Sequence, residues 1–364
     1  MTALTETPPE AAGVPTPAAL KRKTGGGLAT YLVIRFLLIF PTILILVTMV
    51  FFLMRITGDP ITAALGGRLP ADQLAERIHE AGYDRPILIQ YFEYLGQVFT
   101  GNFGRTISDN RAVTEMLATF GTATLELAVN SLIVAFLVGI PLGMIAAHRR
   151  DKTADAGLRI FAILSYATPV FFAGLLLKLI FSVWLGWLPV AGRASTTTEI
   201  SLTGLGAPTG IYWLDALRSG NLAAFWDVEA HAILPAITLG LLTAGVFLRL
   251  VRTNLIGTLG KDYVEAGRSR GVSEFRLVTR HAYKPALIPI ITVMGLQIAL
   301  LLGGAVLTET TFEWKGLGFQ LAQYLTARDF VAVQGIVVLL AVIVAVTNFI
   351  VDIIAALIDP RVRY

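Results

Sequence analysis

The feature that most limits what this chain can fold into is the recurrence of long apolar runs. A helix needs about 20 apolar residues in succession to cross the hydrocarbon layer of a bilayer. Helices also satisfy their own backbone hydrogen bonds there, where no water is available. The sequence therefore predicts an all-α polytopic membrane protein of about six transmembrane helices. The runs that predict them are 31–54, 122–147, 158–188, 231–251, 286–307 and 330–358.

Composition agrees with a membrane protein and excludes several other classes. Of the 364 residues, 55% are hydrophobic and 15% are charged, whereas soluble domains carry about 25% charged residues. With no cysteine and four histidines, the sequence offers no thiolate metal site, disulfide or cysteine nucleophile. It also lacks a phosphate-binding loop, a His-Glu-x-x-His pair and a Gly-x-Ser-x-Gly nucleophile. We expect a protein that is not an enzyme and binds no cofactor or metal of its own.

The distribution of lysine and arginine predicts the orientation of the chain. With the amino terminus in the cytoplasm, the internal segments carry about twice as many of these residues as the external ones. This asymmetry places both termini inside a prokaryotic plasma membrane. It also explains the net charge of +4 without nucleic acid as a partner.

The segments outside the runs differ in composition and predicted role. The first 30 residues are rich in Ala, Pro and Thr and predict a disordered cytoplasmic tail ahead of a transmembrane domain, 31–364. Apolar residues at three- and four-residue spacing in 86–99 predict an amphipathic helix on the bilayer surface or on the helix bundle. We expect this helix in an external segment, 56–117, followed by an external loop at 189–230 and a cytoplasmic loop at 252–285.

Few polar side chains fall within the apolar runs. Glu126 and Lys178 lie at broadly similar predicted depths in the membrane, which would allow them to form an ion pair. The alternative is that Lys178 is unpaired and extends its ammonium group to the membrane surface. Asn130 and Gln297 suit interhelical hydrogen bonds or contacts with a transported solute. If the chain were an ion-coupled carrier acting alone, Glu126 would be its suspected essential carboxylate.

The loop between the fourth and fifth runs is much longer than a helix connection requires. Residues 262–270 are compatible with a helix, Gly271 suits a left-handed position that ends it, and Ser273 suits the N-cap of a following helix. This pattern predicts a helix-turn-helix that projects from the membrane. A long charged loop on a chain without an energy source of its own indicates a docking surface for a soluble partner.

The loop also resembles the "EAA" loop of ABC importer membrane subunits, through Glu265-Ala266-Gly267 followed by Gly271. The remainder of the chain from about residue 28 is similar in order and spacing to the B-type subunit of oligopeptide/dipeptide (and nickel) permeases. The segments that carry this similarity are Gly58-Asp59-Pro60, Tyr83-Asp84-Arg85-Pro86, Gly101-Asn102-Phe103-Gly104, Thr124-Leu125-Glu126-Leu127, Glu309 through Gly318, Arg328-Asp329-Phe330 and Asp359-Pro360-Arg361.

The resemblance implies a type I ABC importer permease fold and a role as half of a pathway for short peptides. It implies a homologous second permease subunit, ATP-binding subunits (two chains or one fused) that hold ATP and Mg, and an external solute-binding protein. The alternatives are a nickel or other small-solute importer of the same family, or an ion-coupled secondary transporter. The resemblance further implies that the following residues contact the ATP-binding subunits and couple them to the membrane helices: Asp262, Tyr263, Glu265, Ala266, Gly267, Arg268 and Gly271. The candidates for the pathway or gate are Glu126, Asn130, Lys178, Gln297, Glu309 and Phe312.

Overall fold

The computed structural model describes residues 28–56 and 58–358, apart from some side chains of the fifth apolar run. The predicted disordered tail, 1–30, lies outside the described residues except for its last three, which begin the first helix. The described chain is built from helices, in agreement with the predicted all-α class.

The helices follow the apolar runs and several of the segments between them. In chain order they are α1 (Leu28–Ile56), α2 (Pro60–Leu65), α3 (Ala71–Glu80), α4 (Ile87–Phe99), α5 (Val113–His148), α6 (Thr153–Ala167), α7 (Val170–Lys178), α8 (Thr196–Thr203), α9 (Tyr212–Arg218), α10 (Leu222–Leu259), α11 (Asp262–Ser269), α12 (Glu274–Arg276), α13 (Tyr283–Phe312), α14 (Leu317–Thr326) and α15 (Phe330–Ile358). π-Helical turns follow α7 (Leu179–Trp184) and precede α13 (Leu277–Ala282).

Four of these helices, α1, α5, α10 and α15, are long and apolar enough to cross a membrane. A fifth candidate is the pair formed by α6 and α7 with its π-helical turn, which bends by 103°. The predicted run 286–307 lies inside α13, a helix of 30 residues. Each of the predicted runs therefore falls on a long helix or, in one case, on a bent pair.

The bent pair corrects the expectation of a single straight span at 158–188. Thr168 and Pro169 separate α6 from α7, and Thr168 has an extended backbone conformation, with φ −77° and ψ 125°. A proline lacks the N–H needed to continue a helix and disfavours the helical conformation at the preceding residue, which at Thr168 is extended. The local sequence therefore ends α6 and starts a new helix in another direction.

The longest helices, α5 and α10, pack with their backbones in direct contact. A Cβ atom on Gly139 would lie 2.8 Å from the Ala244 carbonyl oxygen, and one on Gly143 would lie 2.9 Å from that of Leu248. Phe136 and Phe247 stack on the same seam with ring centroids 5.2 Å apart. Gly139 and Gly143 thus serve helix packing within this chain.

Helices α1 and α15 also run side by side and bring the two ends of the described chain together. Arg35, near the start of α1, lies 3.4 Å from Asp352, near the end of α15. At the other end of α1, the Arg55 Nε atom donates to the side-chain oxygen of Gln90 in α4 at 3.0 Å. The molecule therefore has two ends, an α4 end and an α11 end, separated by the length of α5, about 54 Å.

The predicted external segments contain more helix than the sequence pattern indicates. Helix α4 confirms the amphipathic helix at 86–99, with Leu88, Phe92 and Phe99 exposed and Tyr91 packed against Phe51. The predicted loop 189–230 instead contains α8, α9 and the first two turns of α10. Their mixed, Thr- and Gly-containing sequences give no apolar period long enough to be recognised.

We expect Gly143→Ala to destabilise the protein and Gly257→Ala to leave it unchanged or slightly more stable. The new methyl group on Gly143 would lie 2.7 Å from the Val251 Cβ atom, whereas nothing lies within 4 Å of one on Gly257. Overpacking of this kind costs about 1–3 kcal/mol, and an alanine in an open helical position gains up to about 1 kcal/mol. Thermal unfolding of both variants in detergent measures the difference. Equal unfolding temperatures would contradict the direct contact between α5 and α10.

Candidate functional site

Two parts of the molecule carry the predicted site residues, and they lie at opposite ends of α5. The first is the loop around α11, which holds the predicted coupling residues. The second is a buried polar cluster at the α4 end, which we call the outer junction. It consists of Glu126, Arg193, Thr124, Glu309 and Trp314 with their hydrogen-bond partners.

Helix α11 is held to the bundle by one side chain and exposes most of the others. Val264 is fully buried in an apolar cluster with Ala147 of α5 and Leu255 of α10. On either side of Val264 around the helix, Tyr263 is 49% exposed and the Glu265 side chain is 66% exposed. The helix therefore presents polar and aromatic groups outward from a fixed base. The sequence analysis did not identify Val264 as the anchor of this helix, although a single apolar residue inside a charged segment could have indicated it.

The turn after α11 has the predicted left-handed glycine. Gly271 has φ +79°, and its N–H donates to the Arg268 carbonyl at 3.0 Å. The next N–H, that of Val272, donates to the Gly267 carbonyl at 3.2 Å. These two bonds form a Schellman ending, which satisfies carbonyls that the helix leaves unpaired. Ser273 occupies the predicted N-cap position of α12, but its side chain makes no capping hydrogen bond.

Arg268 connects the two short helices of this loop. Its guanidinium binds the Glu265 carboxylate and also Glu274, with an Nε–Oε1 distance of 2.5 Å. The hydrogen bond from Arg268 holds the pKa of Glu274 below its ordinary value. The shape of the loop thus rests on Arg268, while the side chain of Glu265 remains largely exposed. Gly267 fits because a Cβ atom there would lie 3.0 Å from the Leu277 side chain.

At the outer junction, Glu126 pairs with a residue other than Lys178. Its buried carboxylate binds the Arg193 guanidinium and accepts the backbone N–H of Trp213 at 3.1 Å. Lys178 donates instead to the Thr311 carbonyl oxygen at 3.1 Å. Of the two alternatives that the sequence left open for Lys178, the ion pair with Glu126 is therefore wrong, because Arg193 of the 189–230 segment pairs with the Glu126 carboxylate. Arg193 lies in irregular sequence, where no periodic pattern marks it.

Arg193 is itself buried by aromatic and backbone groups. Its guanidinium carbon lies 3.8 Å from the ring centroid of Tyr212 and 5.6 Å from that of Trp314. Its Nη2 atom also donates to the Gly210 carbonyl oxygen at 3.0 Å. Cation–π contacts and charge-assisted hydrogen bonds offset the cost of removing the arginine from water.

Glu309 lies in the second half of the outer junction and is also satisfied by hydrogen bonds. Its carboxylate accepts from the Thr124 hydroxyl at 2.7 Å and from the Phe319 N–H at 2.8 Å. The same Thr124 oxygen accepts the Leu317 N–H at 2.8 Å, and the Trp314 indole donates to the Ala123 carbonyl at 2.9 Å. The turn between α13 and α14 is therefore bonded directly to α5.

The remaining predicted pathway residues are only partly brought together. Phe312 is buried, and the Lys178 ammonium lies 6.0 Å from its ring centroid. Asn130 lies one helical turn from Glu126 on α5, and Gln297 is buried about 18 Å along α13 from Glu309. The outer junction thus includes Glu126 and Glu309, with Lys178 and Phe312 at its edge, while Gln297 lies deeper in the bundle.

A third buried carboxylate fixes the loop that precedes α5. Asp329, at the N-cap of α15, accepts the N–H groups of Ile107 and Ser108 at 2.6 and 2.8 Å and the Ser108 hydroxyl at 2.9 Å. Tyr324 donates to Asp109 at 3.2 Å in the same loop. These contacts give a structural reason for Asp329 in the Arg-Asp-Phe segment, whose role sequence analysis left open.

The comparisons with known proteins cover nearly the whole chain. Residues 139–364 match the family model described as "Binding-protein-dependent transport system inner membrane component", and residues 28–119 match the model of its N-terminal part. A di/tripeptide transport system permease protein, DppB, of Pseudomonas aeruginosa is 39% identical over 90% of this chain and 96% of its own length. The dipeptide permease DppB of Escherichia coli K12 is 36% identical with the same coverage.

Two further relatives widen the comparison. A glutathione transport system permease protein, GsiC, of Salmonella choleraesuis is 34% identical over 92% of this chain and 99% of its own. An inward-facing structure of the MetNI methionine ABC transporter matches 67% of this chain and 97% of the solved chain, at 16% identity and a TM-score of 0.50. The structural match supports the type I permease fold alone.

We expect Arg193→Met to lower the free energy of unfolding by about 3–5 kcal/mol, because it leaves the Glu126 carboxylate buried and unpaired. The double variant Glu126→Gln/Arg193→Met removes that charge and recovers a large part of the loss. Arg218→Met is the matched control. The Arg218 side chain is 54% exposed, and its nearest carboxylate oxygen, on Asp215, is 3.9 Å away, so its ion pair is weak. Thermal unfolding in detergent compares them. A double variant no more stable than Arg193→Met would contradict this account of the outer junction.

Proposed function

Because the chain belongs to the family of binding-protein-dependent transport inner membrane components, we propose that it forms half of the pathway of an ATP-driven importer for short peptides. As a permease subunit it is a transport component and not an enzyme. The observation that carries the peptide assignment is the similarity over at least nine-tenths of the chain to permeases named for dipeptides, di/tripeptides and glutathione.

The proposal includes partners and an orientation. A homologous second permease subunit would complete the pathway, ATP-binding subunits would hold ATP and Mg, and an external solute-binding protein would deliver the peptide. The α11 end would face the cytoplasm, as the lysine and arginine distribution predicts. Both ends of the described chain lie at that end of the molecule, in keeping with an even number of crossings.

Helix α11 would be the element that couples ATP binding to the bundle. It meets α5 and α10 through the Val264 cluster, which also includes Ala286 of α13. A displacement of α11 by an ATP-binding subunit would therefore reach three long helices at once. Packed interfaces of this kind switch between discrete arrangements and do not deform continuously. We propose that Asp262, Tyr263, Glu265, Ala266, Gly267, Arg268 and Gly271 form or shape the contact.

At the other end, the outer junction would close the external side of the pathway. Glu126 and Glu309 are occupied by hydrogen bonds from their own chain, so we assign them to holding this closure. Lys178 and Phe312 would lie at its margin, and Asn130 and Gln297 along the wall behind it. The ion pair of Glu126 with Arg193 disfavours the ion-coupled alternative, since that reading needs Glu126 free to exchange a proton or sodium ion.

Import in proteoliposomes tests the cargo. The chain is co-purified with its partner subunits, and ATP-dependent uptake is measured for dipeptides, tripeptides, glutathione, free amino acids and Ni²⁺. We expect uptake of the di- and tripeptides that requires both ATP and the solute-binding protein. Uptake of Ni²⁺ in preference to every peptide would replace the peptide assignment, and uptake without ATP-binding subunits would replace the importer assignment.

Glu265→Lys tests the coupling surface separately. Reversing this exposed charge should reduce ATP-driven uptake at least about tenfold, because a charge pair across an interface is replaced by repulsion. Membrane insertion should be unaffected, since Glu265 is not part of the buried cluster. Glu76→Lys, an equal charge change on exposed α3 at the α4 end, is the control. Unchanged uptake by Glu265→Lys would exclude Glu265 from coupling.

A further inference from the structure

A groove of about 350 Å³ lies between α6 and α10 near the α11 end and belongs to neither site described above. Ile163 and Tyr166 form its wall on α6, with Gly245 and Val246 on α10. Ile163 and Tyr166 are 64% and 66% exposed, so the groove is open at the surface of this chain. It is apolar along this part of its length.

The close approach of the two helices creates the floor of the groove. A Cβ atom on Gly245 would lie 3.0 Å from the Ala162 carbonyl oxygen and 3.1 Å from the Ser165 Cβ atom. Where glycine allows backbones to approach this closely, the side chains on either side of the contact form two walls. From Arg159 to Tyr166, the α6 wall extends about 10 Å along the helix.

The end of the groove nearest α11 is lined by three arginines, which differ in how strongly each is paired with a carboxylate. Arg252 is bound bidentately to the buried carboxylate of Asp155, at 2.6 and 2.8 Å. Arg159 is 53% exposed and lies 3.8 Å from the same carboxylate, whose oxygens Arg252 already occupies. Arg249 is exposed and forms no ion pair or hydrogen bond with any residue that the structure describes. Two guanidinium groups at this rim are thus available to an anion.

We propose that the groove binds an anionic phospholipid, with its phosphate between Arg159 and Arg249 and the upper part of one acyl chain along Ile163, Tyr166 and Val246. Basic pockets between transmembrane helices, at the level of the membrane surface, suit anionic headgroups, and their arginines reach that level from the helix ends. The apolar part of the groove suits an acyl chain, and it is continuous with the arginines that would bind the phosphate of the same lipid. The peptide cargo plays no part in this inference.

Native mass spectrometry of the full chain tests the proposal. The protein is equilibrated in detergent with equal amounts of dioleoyl phosphatidylglycerol and dioleoyl phosphatidylcholine, and the retained lipids are counted. We expect preferential retention of phosphatidylglycerol. Arg159→Gln/Arg249→Gln should lower it about tenfold and leave phosphatidylcholine retention unchanged, because each arginine near a headgroup contributes substantially to binding.

Two further variants separate a built site from general attraction of charge. Arg149→Gln/Arg150→Gln removes two exposed arginines at the same end, outside the groove, and should leave phosphatidylglycerol retention within about twofold of the parent. Ala167→Trp fills the groove without changing charge and should lower retention. Equal losses in both arginine pairs, or no effect of Ala167→Trp, would overturn the proposal.

The same measurement on the chain co-purified with its second permease subunit tests whether that subunit, and not a lipid, occupies the groove. Retention of phosphatidylglycerol in that complex supports a lipid site on the assembled transporter. Its disappearance on assembly would mean that the partner subunit fills the groove, and would overturn the proposal.

Discussion

Gly139, Gly143 and Gly240 bring the backbones of α5 and α10 into direct contact, and the rest of the bundle is arranged around that pair. No hydrophobic effect drives helices together inside lipid, so close packing between small residues has to supply much of the attraction. Helix α5 carries residues of both ends, and α10 contributes to the cluster that holds α11. Glu126 and Thr124 of α5 belong to the outer junction, whereas Ala147 of α5 and Leu255 of α10 hold α11.

The two ends are held by opposite kinds of interaction, and this difference suits a coupled transporter. At the outer junction, buried carboxylates, an arginine and backbone groups are joined in one hydrogen-bonded network, in which the pairing depends on every member. Around α11, a single apolar cluster provides the base and the polar groups face outward. The exposed face of α11 therefore lies apart from the buried cluster that joins this helix to α5 and α10.

Helices α6 and α7 are the irregular part of this arrangement. The bend at Thr168 and Pro169 turns α7 toward α13, where Gly174 contacts Phe312 and Lys178 reaches Thr311. Helix α6 stays against α10 and leaves the groove with the arginine rim on the outside. One proline thus directs the two halves of an apolar run to different neighbours, α7 to α13 and α6 to α10.

The sequence by itself determined the all-α membrane class, the positions of the long helices, the amphipathic α4 and the turn at Gly271. Each of these depends on a local property: run length, apolar period, or the freedom of glycine to adopt a positive φ. Only the tertiary structure decided that Glu126 pairs with Arg193, that Val264 anchors α11, and that the run at 158–188 bends. The partner of a buried charge can be distant in sequence, as Arg193 is from Glu126. The periodicity of the sequence does not indicate which of several arginines and lysines pairs with a given carboxylate. Pairing of this kind is set by how the helices pack, and so it appears only once they have been brought together.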